Sequence, residues 1–297
     1  MSETMVQENK MGVMPIPKLL ISMSLPMIIS MLVQALYNIV DSMFVAQLNE
    51  AALTAVSLVF PVQNLMIAVA SGTGVGVNAL LSRSLGEKKL DEANKIASNG
   101  VFLALCSCVV FAVLGLIGSR LFFEFQTDDI QIIEYGTQYM SIITIASIFI
   151  FLQITYERLL QSTGKTIFNM ITQGTGAIIN IIFDPILIFG WFGFPAMGVI
   201  GAAVATVFGQ LIAVLMAVFF HNKYNKEITV KARGFKPEGR VIKNIYKIGV
   251  PSILMQSIGS VTTFALNNIL LMFSSTAATV FGVYFKLQSF IFMPVFG

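Results

Sequence analysis

Long apolar runs alternate with short polar connections along the whole chain. A helix of about 20 apolar residues crosses a hydrocarbon core of about 30 Å. Lipid excludes open sheets, because their backbone polar groups would be left unpaired. Eight runs reach this length, so the pattern predicts an all-α, polytopic membrane protein. The predicted helices are Ile16–Ala46, Leu53–Leu81, Ile96–Phe123, Ile130–Leu160, Thr166–Phe192, Met197–Phe220, Lys247–Phe273 and Ala277–Gly297.

The composition supports a membrane protein. Hydrophobic residues make up 56% of the chain and charged residues 11%, whereas a soluble domain has about 25% charged residues. The first residues, up to Met14, are polar and lack a signal-peptide pattern. We therefore expect the amino terminus to stay on the cytoplasmic side.

Basic residues predict how the helices are oriented, because lysine and arginine collect on the cytoplasmic side of a membrane. Of the eighteen, only Arg120 and Lys286 lie away from the start of the first run and the connections after even-numbered runs. The opposite connections carry mainly acids or no charge. This pattern predicts a multi-pass protein of the plasma (bacterial inner) membrane.

The first two runs repeat later in the chain. A shift of 225 residues aligns the two copies without a gap, and it spans an even number of helices, so both copies enter the membrane in the same direction. This predicts two lobes related by an axis along the membrane normal. They comprise residues 1–221 and an incomplete second lobe, 247–297, joined by a cytoplasmic linker, 222–246. We expect the chain to be a fragment. The identical pairs are Lys18/Lys243, Pro26/Pro251, Ile28/Ile253, Ala52/Ala277, Thr54/Thr279, Phe60/Phe285 and Gln63/Gln288.

The fifth run carries an amide and an acid on one helix face. Asn180 and Asp184 are four residues apart, so their side chains project in the same direction. Pro185 follows the acid and frees the carbonyl of Ile181 one turn back. Such oxygens suit a small hard cation or a proton. An unpaired charge at mid-bilayer costs about 2.5–3.5 kcal/mol, so the alternative is a structural acid that pairs with another helix.

A polar stripe on the first run ends at a second acid, Asp41. Pro26 lies about four turns earlier, at a point where the helix can kink. The stripe either lines a cavity or holds helices together, at about 0.6 kcal/mol per contact. The repeat partner of Asp41 is Leu266, so the acid is confined to the first lobe. The stripe, spaced as one helix face, consists of Gln34, Tyr37, Asn38 and Asp41.

These residues together predict one cation site. We expect Asp41, Asn180 and Asp184 to bind H⁺ or Na⁺ as a coupling ion, with no other cofactor. Lys286 lies about ten residues into the eighth run, too deep to reach the interface easily. It either lines the central cavity or pairs with an acid in a part that the chain lacks.

Other ionisable residues and motifs indicate no catalytic chemistry. Glu157 and Arg158 are interpreted as a solvated helix boundary, and His221 as an interfacial residue without a role. The chain has no Walker, HExxH or GxSxG motif. An integral-membrane enzyme is therefore disfavoured. A passive channel is disfavoured as well, because it would need charge rings or carbonyl filters.

Several stretches of the chain are distinctive when taken together. They are SLPMIISMLVQALYNIVDSMFV in the first run, SRSLGEKK after the second, QSTGKT after the fourth and NIIFDPILIFG in the fifth, with MGVIGAAVAT in the sixth. These stretches resemble the multidrug and toxic compound extrusion (MATE) family, which implies a twelve-helix antiporter of two six-helix lobes. The bacterial and archaeal branch has residues that match Pro26, Asp41, Asn180 and Asp184. Another branch relies on an acid in the seventh helix, where this chain has Leu266, Asn267 and Asn268.

The resemblance implies a cation-coupled exporter of amphipathic, often cationic drugs that works by alternating access. Its partners would be small molecules and the lipid bilayer, with no nucleic acid, and we expect a monomer. The main alternative is a flippase for lipid-linked precursors on a related two-lobe fold. That function predicts a cavity rich in lysine and arginine to hold phosphates, and only Lys286 is available for it.

Overall fold

The computed structural model describes residues 10–230 and 235–296, and the regular structure in these ranges is helical. Within α10 the side chains of Lys286 and of residues 289, 290 and 292–296 lie outside the described part. A short 3₁₀ turn, Trp191–Gly193, follows α7. The helices are α1 (Lys10–Val13), α2 (Ile16–Ala46), α3 (Glu50–Gly86), α4 (Leu90–Glu124), α5 (Ile130–Ile145), α6 (Ser147–Ser162), α7 (Thr166–Phe189), α8 (Val199–Tyr224), α9 (Gly239–Leu271) and α10 (Ser275–Phe296).

The helices match the apolar runs, and this confirms the all-α membrane fold. Six described helices are individually long and apolar enough to cross a membrane, and the bent pair α5 and α6 makes a seventh if it is counted as one span. The eighth predicted run corresponds to α10, of which Ser275–Phe285 is described as apolar. Helix α9 begins at Gly239, so the predicted linker 222–246 includes its first turns.

Local sequence signals fix several helix ends. The side chain of Asn49 accepts a hydrogen bond from the backbone N–H of Ala52 at 2.7 Å, which caps α3. Asp129 caps α5 in the same way through the N–H of Gln131, at 2.9 Å. Gly190 ends α7 with a φ of +77°, a left-handed conformation that favours glycine at this position.

The fourth predicted run is bent, and the prediction of one continuous helix there is wrong. Helices α5 and α6 meet at Ala146 with an angle of 46°. The hydroxyl of Thr144 donates to the carbonyl of Met140 at 2.7 Å, and that of Ser147 donates to the carbonyl of Cys108 at 3.4 Å. Hydroxyls that bond nearby carbonyls compete with the helical ladder and bend helices. Hydrophobicity alone does not reveal such a break.

Glycines allow α7 and α8 to pack backbone against backbone. A methyl group at Gly209 on α8 would lie 2.7 Å from the carbonyl oxygen of Gly176 and 3.3 Å from the Cβ of Asn180. At Gly201 it would lie 2.4 Å from the carbonyl oxygen of Leu187. Small residues are the usual means of close approach between membrane helices. Through this packing α8 lies directly against the predicted site residue Asn180.

Repeat-equivalent residues contact each other between α3 and α10. The hydroxyl oxygens of Thr54 and Thr279 are 2.5 Å apart. The rings of Phe60 and Phe285 pack edge to face with centroids 5.9 Å apart. Both pairs are separated by the offset of 225 residues that relates the two copies in the sequence. Two copies related by a twofold axis make such contacts where the axis passes between them.

The contact between α3 and α10 predicts a cross-link. Thr54→Cys combined with Thr279→Cys, in a background without Cys106 and Cys108, should form an intramolecular disulfide under mild oxidation, because the two side chains already touch. The readout is protection of both thiols from a maleimide label. Thr54→Cys combined with Thr262→Cys on the exposed face of α9 is the matched control. Equal labelling of both pairs would contradict the packing.

The glycine contact between α7 and α8 predicts a stability effect. Gly209→Ala should destabilise the protein by about 1–3 kcal/mol, as overpacking does in well-packed cores, because its methyl group meets backbone atoms of α7. Gly174→Ala on α7 is the control, since no atom lies within 4 Å of the added methyl group. Thermal unfolding in detergent should show a lower midpoint for Gly209→Ala only. Equal midpoints for the two variants would rule out the close approach.

Candidate functional site

Helices α2 and α7 pack along each other and bring the two predicted acids into one region. Asp41 is 6% exposed and Asp184 is fully buried. The two carboxyl groups are close enough to interact electrostatically, and both also act on Tyr37. Each acid lies five residues before the end of its helix, at Ala46 and Phe189, which is about 7.5 Å along the axis. The acids are therefore nearer to one end of the bundle than to its middle.

Asn180 links Asp184 to helix α8. Its amide nitrogen donates to Asp184 Oδ1 at 3.3 Å and to the hydroxyl of Thr206 at 3.4 Å. With the amide turned over, its nitrogen donates to Asp184 Oδ2 at 3.3 Å and its oxygen accepts from the backbone N–H of Thr206 at 3.2 Å. The turned orientation gives both ends of the amide a partner of the right kind. Asn180 and Asp184 thus form a buried polar pair between α7 and α8.

A small polar cavity adjoins this pair. Its volume is about 50 Å³, enough for a few water molecules. Asp41 is among the residues that line it, and Asp184 is not. The complete stripe of α2 faces the cavity, together with polar residues of three other helices. The polar lining consists of Gln34, Tyr37, Asn38, Asp41, Gln63, Asn64, Tyr139, Thr206 and Gln210.

Sequence reasoning missed the residues that α3, α5 and α8 contribute to this cavity. Thr206 and Gln210 are four residues apart on α8 and so share a face, which was the available signal. Gln63 donates to the hydroxyl of Tyr139 at 3.5 Å, and no spacing in the sequence pairs these two residues. Their positions depend on how the helices turn toward one another.

The remaining predicted site residues have mixed placements. Pro26 lies inside α2 and Pro185 inside α7, and both helices continue past them. Lys286 belongs to α10, but its side chain lies outside the described part of the structure. Its proposed place in the cavity therefore stays a prediction.

The interpretation of Glu157 as a solvated boundary residue is wrong. Its side chain is 4% exposed and accepts hydrogen bonds from Gln153 and Gln173. His221 is also buried, at 2% exposure, and packs against the ring of Tyr156. Both residues lie near helix ends, but contacts with side chains of neighbouring helices bury them.

The donor set around Asp41 and Asp184 fits a small cation in its chemistry. Two carboxyl groups, the carbonyl oxygen of Asn180 and the hydroxyl of Thr206 are hard oxygen donors, which suit Na⁺ or a proton. Among the described residues there is no group of three or more His, Cys, Asp or Glu side chains that could hold a metal ion. A transition-metal centre is therefore not indicated in this part of the chain.

Comparisons with known proteins agree with this geometry. The multidrug export protein MepA of Staphylococcus haemolyticus is 29% identical over 92% of this chain, and the match covers 60% of MepA. The structure of the MATE multidrug transporter DinF-BH in complex with rhodamine 6G superposes with a TM-score of 0.88 at 30% identity, covering 95% of this chain and 63% of that chain. This chain thus spans about 60% of the length of the curated relatives that it matches.

The binding pocket of a third relative is described as having reverse polarity. This relative is a MOP superfamily transporter from Pyrococcus furiosus, and the reverse polarity is said to suggest a different function. It is 27% identical, with a TM-score of 0.84, over 94% of this chain and 61% of that chain.

The sequence profile of the MatE family matches residues 26–186, which is more than half of the 297 residues. The chain therefore belongs to the MatE family of membrane transporters.

Proposed function

We propose that this chain acts in a cation-coupled antiporter that exports amphipathic, often cationic compounds by alternating access. The observation that supports the proposal most strongly is the meeting of Asp41 and Asp184 beside a polar cavity in an otherwise apolar bundle. Asn180 completes the site. The coupling ion is H⁺ or Na⁺, and the protein works as a monomer in the plasma membrane with its amino terminus in the cytoplasm.

Buried charge provides the coupling. Two nearby carboxylates repel each other, and burial disfavours both charges, so a proton or Na⁺ at the pair stabilises the compact arrangement of α2 and α7. A cationic substrate can neutralise the same acids from the cavity side. Ion and substrate then favour different states, and each shifts the equilibrium only by its differential affinity for them.

Bending of α2 is the movement that we assign to this coupling. Pro26 removes one backbone hydrogen bond from the helix, and the hydroxyl of Ser30 donates to the carbonyl of Pro26 at 2.8 Å. Pro185 gives α7 a similar weak point beside Asp184. In this proposal residues 1–221 move as one lobe against residues 247–297, with 222–246 as the linker.

A flippase for lipid-linked precursors is the second candidate, and the cavity disfavours it. Phosphate groups are recognised by arginine and lysine, whereas the described lining contains an acid, amides and hydroxyl groups and no basic side chain. The polarity of this lining suits cationic compounds instead.

Rhodamine 6G is the substrate probe to use, because the relative DinF-BH is described in complex with it.

Transport measurements test the role of Asp41. The full-length protein in proteoliposomes should move rhodamine 6G when a proton or a sodium gradient is imposed separately, and the effective gradient identifies the ion. Asp41→Asn should lower gradient-driven transport about tenfold or more, because it removes the titrating group and with it the coupling free energy. Asp128→Asn, which changes an exposed acid, is the matched control.

Two outcomes would contradict the proposal. The first is gradient-driven transport by Asp41→Asn at the rate of Asp128→Asn, which would exclude Asp41 as the coupling group. The second is transport of the dye by the unmodified protein at the same rate with and without either gradient, which would exclude cation coupling. Stimulated movement of a fluorescent lipid-linked phosphate without transport of the dye would favour the flippase.

A further inference from the structure

The carboxylate of Glu157 is buried in a polar pocket between α6 and α7. Gln173 Nε2 donates to its Oε2 at 2.7 Å, and Gln153 Nε2 donates to its Oε1 at 3.0 Å. The hydroxyl of Thr172 lies 3.2 Å from Oε1. The amide of Asn169 donates to the backbone carbonyl of Glu157 at 3.1 Å. An acid buried this completely inside a membrane helix bundle is more often functional than structural.

Two acceptor atoms around Glu157 lack hydrogen-bond donors. Asn169 Oδ1 and Gln173 Oε1 are buried without a hydrogen-bond partner, and Asn169 is 6% exposed. Unpaired buried acceptors are costly, and each calls for an explanation. A protonated carboxyl group would supply a donor for one of these two acceptors. When the amide of Gln173 turns over, its Oε1 takes the place of Nε2 and accepts the O–H of Glu157.

The hydroxyl of Thr172 also has two alternative acceptors. It lies 2.9 Å from the carbonyl oxygen of Asn169 as well as 3.2 Å from Glu157 Oε1, and it has a single hydrogen to donate. It can therefore donate to the carboxylate when Glu157 is charged and to the carbonyl when Glu157 is neutral. The carboxyl oxygens of Glu157 thus have hydrogen-bond partners available in each protonation state.

We propose that Glu157 is a second proton-binding site, at the opposite end of the bundle from Asp41 and Asp184. Its partner is Gln173, whose side-chain amide turns over and accepts the O–H when Glu157 is protonated. Glu157 lies five residues before the end of α6 at Ser162, about 7.5 Å from the end that the basic loops predict to be cytoplasmic. Gln173 and Asp184 are eleven residues apart on α7, about 16 Å. That separation is too long for direct proton transfer, so the two sites exchange protons independently.

The surroundings favour a proton over Na⁺. The carboxylate oxygens already face N–H and O–H donors, which repel a metal cation and compete for the same lone pairs. Of the described charged groups, Arg158 is the one that interacts electrostatically with Glu157. Other charged groups on the elements packed against α6 include the ion pairs Arg83–Glu87, Lys95–Glu238 and Arg120–Glu124, and Lys165–Glu227 lies at the start of α7. They also include Asp91, Glu92, Glu134, Asp184 and Lys223, and His221 contacts Tyr156.

Arg158 connects the state of Glu157 to α3 and α2. Its guanidinium donates to the hydroxyl of Ser71 at 3.1 Å and to Gln161 Oε1 at 2.7 Å. Gln161 Nε2 in turn contacts the sulfur of Met27 at 3.3 Å, directly after Pro26. Protonation of Glu157 removes the negative charge beside Arg158. The position of the guanidinium, and with it the hydrogen bonds to Ser71 and Gln161, can then change. This role in gating rests on the proposed antiport function, whereas proton binding itself does not.

Infrared difference spectroscopy tests proton binding without requiring transport. The reconstituted protein, cycled between acid and alkaline pH in the absence of Na⁺, should show a C=O band from a buried carboxyl group that Glu157→Gln loses. Asp184→Asn should retain this band, and so should Glu134→Gln, which changes an exposed glutamate of α5. A spectrum of Glu157→Gln identical to that of the unmodified protein would overturn the proposal.

A second variant tests the proposal even if Glu157→Gln does not fold. Gln173→Met leaves Glu157 in place but removes the acceptor of its O–H, so the band should move to higher frequency. An unmoved band would refute the partnership with Gln173.

Raising the Na⁺ concentration at fixed acid pH should leave the band in place. Its disappearance would show that Na⁺ displaces the proton, which contradicts a proton-selective site.

Transport separates the role of Glu157 from the proposed function. Glu157→Gln should lower proton-driven transport of rhodamine 6G about tenfold, as expected when a coupled site is lost, while the affinity for the dye changes less than about twofold. Unchanged transport would overturn the gating role. A lack of cation coupling in the unmodified protein would refute the proposed function alone, because the infrared band reports on Glu157 independently.

Discussion

The energetic cost of burying carboxyl groups in an apolar helix bundle is the constraint on which this structure depends. Asp184 is fully buried, and a lone charge inside a membrane costs several kcal/mol. Asn180 offsets part of this cost by its hydrogen bond, and it is held there because Gly176 and Gly209 let α7 and α8 touch. Asp41 adds a second charge to the same region. The pair is therefore sensitive to any cation that neutralises it.

Much of the fold follows from the sequence, because helix length and helix face depend on local periodicity. The run Ile16–Ala46 coincides with α2, and the faces that carry Asp41 and Asp184 meet as the motifs suggest. The bend at Ala146 depends on hydroxyl contacts with α4 and within α5, which periodicity does not encode. The burial of Glu157 depends on side chains of α7 that contact it. Those features require the tertiary arrangement.

Buried acids lie near opposite ends of the bundle formed by α2 to α8. Asp41 and Asp184 adjoin the polar cavity, whereas Glu157 lies beside the connection between α6 and α7. Helix α7 provides Asp184 at one end and the Glu157 partners Thr172 and Gln173 at the other, and Gln161 on α6 contacts Met27 on α2. Under the two proposals above, such a bundle responds to protons at either membrane face. Contacts between repeat-equivalent residues, such as Thr54 and Thr279, join α3 to α10.

Proton release on substrate binding is the most direct test of the shared site at Asp41 and Asp184. In weakly buffered, Na⁺-free detergent solution, binding of rhodamine 6G to the unmodified full-length protein should release about one proton per molecule bound, because in this proposal substrate and proton neutralise the same acids. Asp41→Asn and Asp184→Asn should each abolish the release. Undiminished release in both variants, with the dye still bound, would contradict the shared site.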